Sequence, residues 1–279
     1  IKELTAILKS RAKQNKILVE ELEAITEKFG DERRSRLVDD VGEVKIEDLI
    51  EDEEIIVSVS SGGYVKSVPS DSYKKQGRGG KGVKASSSDE DVIEHLLSTS
   101  VHSYLLFFTD KGKCYWVKVY DIPEGGRAAK GRAIVNLIGC EPDEKVSAFI
   151  SVKEFNEDHF VVMATEKGIV KKTKLSAYSN PRKKGIYAVE IRDGDKLIEA
   201  RVSTGDNDIL LGTRNGKSIR FSEEQIRPSG RKTMGVKGIT LSSEDDRLVG
   251  MLLIKREGTT VLVATEKGFG KRTEISQYR

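Results

Sequence analysis

The sequence predicts a mainly β repeat fold, a propeller or solenoid, preceded by a short α-helical segment. Three observations carry that prediction. An apolar β-rich run, a glycine turn and a cationic second strand recur in order from Ile55 onward. The turn glycines Gly63, Gly112, Gly168, Gly216 and Gly268 are spaced 49, 56, 48 and 52 residues apart. The pentapeptide Ala-Thr-Glu-Lys-Gly stands at 164–168 and again at 264–268. Self-similarity at this period is the mark of stacked supersecondary units.

The first 29 residues read as helix. Ile1, Leu4 and Leu8 share one face; Leu18, Leu22, Ile25 and Phe29 share another at three- and four-residue spacing. The polar stretch from Ser10 to Asn15 is expected to divide them into two helices, and Gly30 stands where a C′ glycine would. These helices suit either a partner-binding coiled coil or packing on a neighbouring domain. A charged hinge to residue 36 and an acidic linker over 37–54 follow.

The repeats fill 55–279, with units starting near 55, 104, 160, 208 and 260, the last one cut short. Their first strands are Ile55–Val59, Leu105–Phe108, Val161–Met163, Ile209–Leu211 and Val261–Val263. Lys66, Lys113, Lys171-Lys172, Lys217 with Arg220, and Lys271-Arg272 lie beyond the turns. Asn215-Gly216 is the strongest hairpin signal.

Charge is distributed unevenly. The chain has 279 residues and a net charge of +3, with 48 Lys and Arg against 45 Asp and Glu. Residues 1–54 carry a net −6 and the remainder +9, an asymmetry that suits a polyanion-binding body joined to something else. The two cysteines, Cys114 and Cys140, have no metal or redox spacing and are expected to be buried free thiols of a reducing cytoplasm. No apolar run approaches the ~18 residues of a membrane span. The charged amphipathic opening is no signal peptide, and a start at Ile1 rather than Met suggests a piece of a longer protein.

His95, His102 and His159 are scattered without metal spacing and read as surface or packing residues. Trp116 reads as core, and Glu51 to Glu54 as solvated linker. A self-contained enzyme is the weakest reading, and no cofactor or metal site is expected in this fragment.

The richest stretch is Lys74-Lys75-Gln76-Gly77-Arg78-Gly79-Gly80-Lys81-Gly82, in which four of nine residues are cationic and four are glycine. Comparable loops follow later hairpins: Arg127 to Arg132 with Lys130, Arg182-Lys183-Lys184-Gly185, and Arg231-Lys232-Thr233-Met234-Gly235-Val236-Lys237-Gly238. One such loop per blade makes a curved cationic track. Duplex DNA presents about one negative charge per 1.7 Å of axis, so the track gains affinity by counterion release without reading bases. Recurring contacts offset the several kcal/mol that bending costs, and glycine N–H groups can join them. The other reading is that these cations protect sheet edges, or that the propeller binds a polypeptide.

The same residues resemble the C-terminal domain of the bacterial DNA gyrase A subunit. The family box Gln-Arg-Arg-Gly-Gly-Lys-Gly is matched at six of seven positions by Gln76–Gly82, departing at Gly77. Phe29 to Arg34, Gly131 to Leu137, and Gly270-Lys271-Arg272-Thr273 also look like family segments. The resemblance implies a β-pinwheel, a propeller-like disc of four-stranded blades of about 50 residues, that wraps duplex DNA on its basic rim. It further implies a helical tail of an upstream DNA-gate region over 1–36 and a handed crossing that permits negative supercoiling.

The box role falls on Gln76, Arg78, Gly79, Gly80, Lys81 and Gly82, with Lys74 and Lys75 offering charge where Gly77 replaces a cation. The contact roles of Arg127, Lys130, Arg132, Arg182, Lys183, Lys184, Arg231, Lys232, Lys237, Lys271 and Arg272 are inferred from the repetition. The cleavage tyrosine of the family lies upstream, so none of the eight tyrosines here is assigned to it. The magnesium and ATP sites of the holoenzyme lie elsewhere.

Implied partners are duplex DNA and, through the missing N-terminal part, the gyrase B subunit in an A2B2 assembly. The isolated domain is expected to be a monomer in the bacterial cytoplasm, at the nucleoid. The corresponding C-terminal domain of topoisomerase IV, which carries a degenerate box, is the related alternative. The repeats supply fewer blades than the family disc, so an open arc with an unpaired terminal edge is expected.

Overall fold

The computed structural model describes residues 1–31, 35, 46–73, 78, 91–141, 143–255 and 258–278, with the side chains of 46 and 48 left aside. The chain divides into two compact units, Ile1–Leu49 and Ile50–Arg279.

In the first unit, α1 (Lys2–Lys9) and α2 (Arg11–Phe29) are separated at Ser10 alone, whose extended φ of −122° interrupts the helix. The remaining polar residues to Asn15 lie inside α2. Gly30 ends α2 with φ −65° and ψ 131°, so the expected left-handed cap is not formed; its N–H bonds Thr26 O instead. Neither helix buries a residue, and Leu4, Leu8, Leu18, Leu22, Ile25 and Phe29 are all exposed.

The second unit is built from short antiparallel strands. The first part of the chain supplies β1 (Glu54–Ser60), β2 (Tyr64–Pro69), β3 (Ile93–Ser100), β4 (Tyr104–Thr109), β5 (Lys113–Lys118) and β6 (Arg132–Ala133). After the single helical turn α3 (Val135–Ile138) come β7 (Val146–Val152), β8 (Phe160–Thr165), β9 (Ile169–Lys174) and β10 (Ile186–Tyr187). Then follow β11 (Leu197–Ser203), β12 (Asp208–Thr213), β13 (Ser218–Ser222) and β14 (Val236–Lys237). Last are β15 (Leu248–Ile254), β16 (Thr260–Ala264) and β17 (Gly270–Glu274).

Every repeat opens with a hairpin closed in the same way. The N–H groups of Gly63, Gly112, Gly168, Gly216 and Gly268 bond the carbonyls of Ser60, Thr109, Thr165, Thr213 and Thr265. All five glycines have φ between +75° and +83°, a region that costs other residues about 1–2 kcal/mol. Aspartates ahead of three of the third strands pin the turns: Asp91, Asp195 and Asp246 accept the amides of Gly62, Lys167 and Asn215 at 2.8, 2.9 and 3.1 Å.

Strand order shows how the repeats are joined. The first three sheets run β3-β1-β2-β6, β7-β4-β5-β10 and β11-β8-β9-β14. In each of them the fourth strand is supplied by the following repeat. β6 lies beyond the second hairpin yet pairs with β2, Tyr64 opposite Ala133 and Val65 opposite Arg132. β10 pairs with β5, and β14 with β9, in the same manner. The fourth sheet, β13-β12-β15, has three strands and the last, β16-β17, has two among the described residues. Among the described residues the last two sheets are thus incomplete.

The core forms between successive sheets. Leu105 and Phe107 of β4 join Val57 and Val65 in one buried cluster, whereas Leu106 and Phe108 join Val161 and Met163 in the next. Val162, Ala164 and Val170 then meet Ile209 and Leu211. With both faces covered, these strands read as continuous apolar runs, because alternation arises only when one face meets water. The third strands adjoin one another, as β7 does β11 and β11 does β15; Thr99 of β3 and Ser151 of β7 share a hydroxyl hydrogen bond of 2.5 Å. The short fourth strands consequently occupy the opposite edge of each sheet.

A test of the exchanged strand follows from Gly168. A Cβ there would lie 2.8 Å from Ile239 Cγ2 and 3.0 Å from Ile239 O. Gly168→Ala is expected to lower unfolding free energy by about 1–3 kcal/mol, read from urea denaturation followed by far-UV circular dichroism.

Candidate nucleic-acid interface

The loops that lead into β6 and β14 are anchored by a common set of contacts. Gly125 N–H bonds Ser67 O, and Ser229 N–H bonds Lys172 O, fixing where each loop begins. Each ends on a glycine with positive φ, Gly131 at +84° and Gly235 at +92°, pressed against the second strand of the preceding sheet. A Cβ on Gly131 would stand 2.6 Å from Val65 O, and one on Gly235 2.6 Å from Val170 O. The chain then reaches the hairpin glycine, where Ile134 N–H bonds Gly63 O, and Gly238 N–H bonds Gly168 O. These glycines serve close backbone approach.

Between those anchors lies a buried lysine. Lys66, 2% exposed, donates to the carbonyls of Arg127 and Ala129. Lys171, 1% exposed, donates to Ala188 O at 2.8 Å, Arg231 O at 2.5 Å and Thr233 O at 3.0 Å. Burial lowers the pKa of both. For Lys171 it falls to about 8, with the Arg231 charge adding to the effect and Glu190 opposing it. Lys172 is also buried, 3.8 Å from the fully buried carboxylate of Glu223. The sequence marked these cations only as belonging to the second strands; the structure buries Lys66, Lys171 and Lys172. Lys113 pairs with Glu141 and Glu144, and Arg220 with Asp208.

The second sheet differs. Tyr115 takes the place of the buried lysine, its hydroxyl donating 2.8 Å to the buried Glu144. Gly185, with φ +69°, rests on the ring, which a Cβ there would meet at 2.7 Å. Trp116 Nε1 donates to Tyr178 O at 2.9 Å, so the lone tryptophan is a packing residue.

The loops hold most of their cations outside. Arg127, Lys130, Arg132, Arg182, Lys183, Lys184, Lys232 and Lys237 are exposed, whereas Arg231 is half-buried. Lys130 Nζ lies 4.3 Å from the centroid of the Tyr64 ring. Arg127 Nη1 donates to Ser72 O at 3.2 Å, which places this loop beside the root of the glycine-rich stretch. Within that stretch only Arg78, exposed in a turn, is described; Lys74, Lys75, Gln76, Gly79, Gly80, Lys81 and Gly82 lie outside the described residues.

Lys271 and Arg272 are exposed on β17, but their counterparts by register in the third repeat are the buried Lys171 and Lys172. They belong to the second-strand series rather than to the loops. Sequence reasoning missed the lysine clamp. Its signal was a lysine three residues beyond the hairpin glycine at 66, 171 and 271, with Tyr115 and Ile219 between.

Of the cysteines, Cys114 is buried and Cys140 half-buried, and burial pushes both thiols up. His95 packs edge-on against Phe149 at 5.0 Å. No cluster of metal-ligating side chains occurs among the described residues, and no described helix is long and apolar enough to cross a membrane.

Strand-exchanged sheets that carry cationic loops at one edge define a propeller-like repeat module. The family model described as "DNA gyrase C-terminal domain, beta-propeller" matches at residues 54–102, 103–153, 159–204, 207–255 and 259–279. The chain belongs to that family. It is 45% identical over its whole length to the DNA gyrase A subunit of Clostridium acetobutylicum, of which it covers 34%. It thus spans about a third of that curated relative.

Among solved structures, the C-terminal domain of a DNA topoisomerase IV aligns with a TM-score of 0.68 and 28% identity, covering 82% of this chain and 70% of that one. A DNA gyrase A C-terminal domain aligns with a TM-score of 0.65 and 26% identity, covering 81% and 73%.

The lowered pKa of Lys171 gives a test. Between about 8 and the ordinary 10.5 the folded chain binds fewer protons at this group than the unfolded chain. Its contribution to stability therefore rises with pH across that window. Lys171→Met is expected to remove this rise, seen as a flatter pH dependence of urea midpoints from pH 7.5 to 10.5.

Proposed function

We propose that this chain binds duplex DNA along its loop-bearing edge and wraps it largely without regard to base sequence. In the longer protein to which it belongs, wrapping sets the handedness of the crossing offered for strand passage, so that an ATP-driven gyrase of paired A and B subunits introduces negative supercoils. The fragment supplies DNA binding and no catalytic group. The carrying observation is topological equivalence: three consecutive basic loops reach the outer edge of three consecutive sheets by the same route.

Successive loops with exposed Arg and Lys meet successive phosphates of a bent duplex, and counterion release at each supplies affinity. Gln76–Gly82, with Lys74 and Lys75, adds the densest charge at the first repeat. Arg127 of the next loop bonds Ser72, two residues before that stretch in sequence. A near-complete box favours the gyrase role over the topoisomerase IV counterpart, and likeness to a gyrase relative along the whole chain supports it.

Binding of random duplex DNA is expected, weakening steeply as salt rises; no binding at low salt would sink the proposal. Relaxed circles ligated in its presence should show an altered linking number, whereas an unchanged one would favour a binder that does not wrap. Charge reversal at Arg78 or Lys81 is expected to reduce the salt slope by about 1 and to lessen the linking change more than reversal at Lys217. Equal effects would remove the special role of the box.

A further inference from the structure

Resting on that reading, we infer that Lys66 and Lys171 are positioning residues for DNA binding: their buried ammonium groups gather the inward carbonyls of the loops at 127–129 and 231–233 and so hold the loop cations facing outward. Neither lysine can touch a duplex, being 2% and 1% exposed. Their targets are carbonyls of Arg127 and Ala129 in one loop, and of Arg231 and Thr233 in the other. In both cases the bonded carbonyls alternate with the exposed cations Lys130 and Lys232 or flank them. A loop whose carbonyls are collected on one side presents its side chains on the other.

The third donor of Lys171 goes to Ala188 O at 2.8 Å, next to the point where the preceding exchanged segment meets Gly112. One ammonium thereby ties two exchanged segments to one sheet. Burial without a carboxylate partner within bonding distance makes this lysine a poor stabiliser at neutral pH, consistent with its lowered pKa. Its contribution is to place the loop. The loop at 125–133, held by Lys66 and not by Lys171, supplies an internal control.

The test uses the whole chain carrying Lys171→Met, and separately Lys66→Met, with Lys171→Arg as the conservative variant. Three quantities are read: duplex DNA affinity against salt, amide hydrogen exchange of residues 229–237, and the thermal midpoint. The expected result for Lys171→Met is a retained cooperative transition, faster exchange in 229–237 but not in 125–133, and roughly tenfold weaker DNA binding. The salt slope should fall by about 2, as for two lost phosphate contacts, and Lys171→Arg should restore part of it.

Unchanged affinity and slope in a folded Lys171→Met chain would overturn the inference, as would a loss of affinity with no change in loop exchange. Should Lys171→Met not fold, Lys66→Met decides by the same readouts at 125–133. If the unaltered chain binds no DNA at low salt, the proposed function falls. The exchange pattern then decides the clamp alone, with unchanged protection at 229–237 overturning it.

Discussion

Pairing between each sheet and a strand from the next repeat is the constraint on which this structure rests. β6, β10 and β14 are only two residues long, too short to hold by ladder hydrogen bonds alone. They are secured by what flanks them: a glycine pressed onto the second strand, a hairpin glycine whose carbonyl accepts the incoming amides, and in two sheets a buried lysine. Glycine is required at Gly131, Gly185 and Gly235 because backbone or an aromatic ring already occupies the space of a Cβ. Sheet completion and loop presentation are thus one event.

Much of the fold was legible because it is local. Hairpin glycines announce themselves by spacing, and the runs at Leu105–Phe108 and Val161–Met163 announce burial on both faces. Strand exchange was not legible. Val65 and Arg132 pair across a long stretch of intervening chain, and a two-residue strand carries no periodicity. The burial of lysine was not legible for a related reason. Lys66 and Lys171 look identical in sequence to Lys130 and Lys232, and only a neighbouring repeat determines which of them is covered. Of the candidate site, the loop cations at 127–132, 182–184 and 232–237 are exposed and Arg231 is half-buried, while the burial of Lys66, Lys171 and Lys172 depends on neighbouring repeats and was not legible.

Charge is sorted by depth. Lys113, Lys172 and Arg220 face Glu144, Glu223 and Asp208, and Lys66 and Lys171 face carbonyls. Arg127, Lys130, Arg132, Arg182, Lys183, Lys184, Lys232 and Lys237 are exposed, so a net charge of +3 understates the local charge of the loops. A modest global charge is compatible with locally cationic loops when acidic residues are concentrated elsewhere, as in the lead-in over 1–54 with its net −6.

The exchanged loop also has a mechanical meaning. Each loop is covalently part of one repeat and hydrogen-bonded to the sheet of the one before. Tension applied to its exposed side chains divides between the hairpin of its own repeat and the neighbouring ladder, where the pull acts across backbone bonds, a glycine contact and, in two of the three loops, a buried ammonium. Adjacent repeats therefore share load rather than swing apart as beads would, and a stiff, strained polymer lying along this edge would meet a belt and not a string of separate pads.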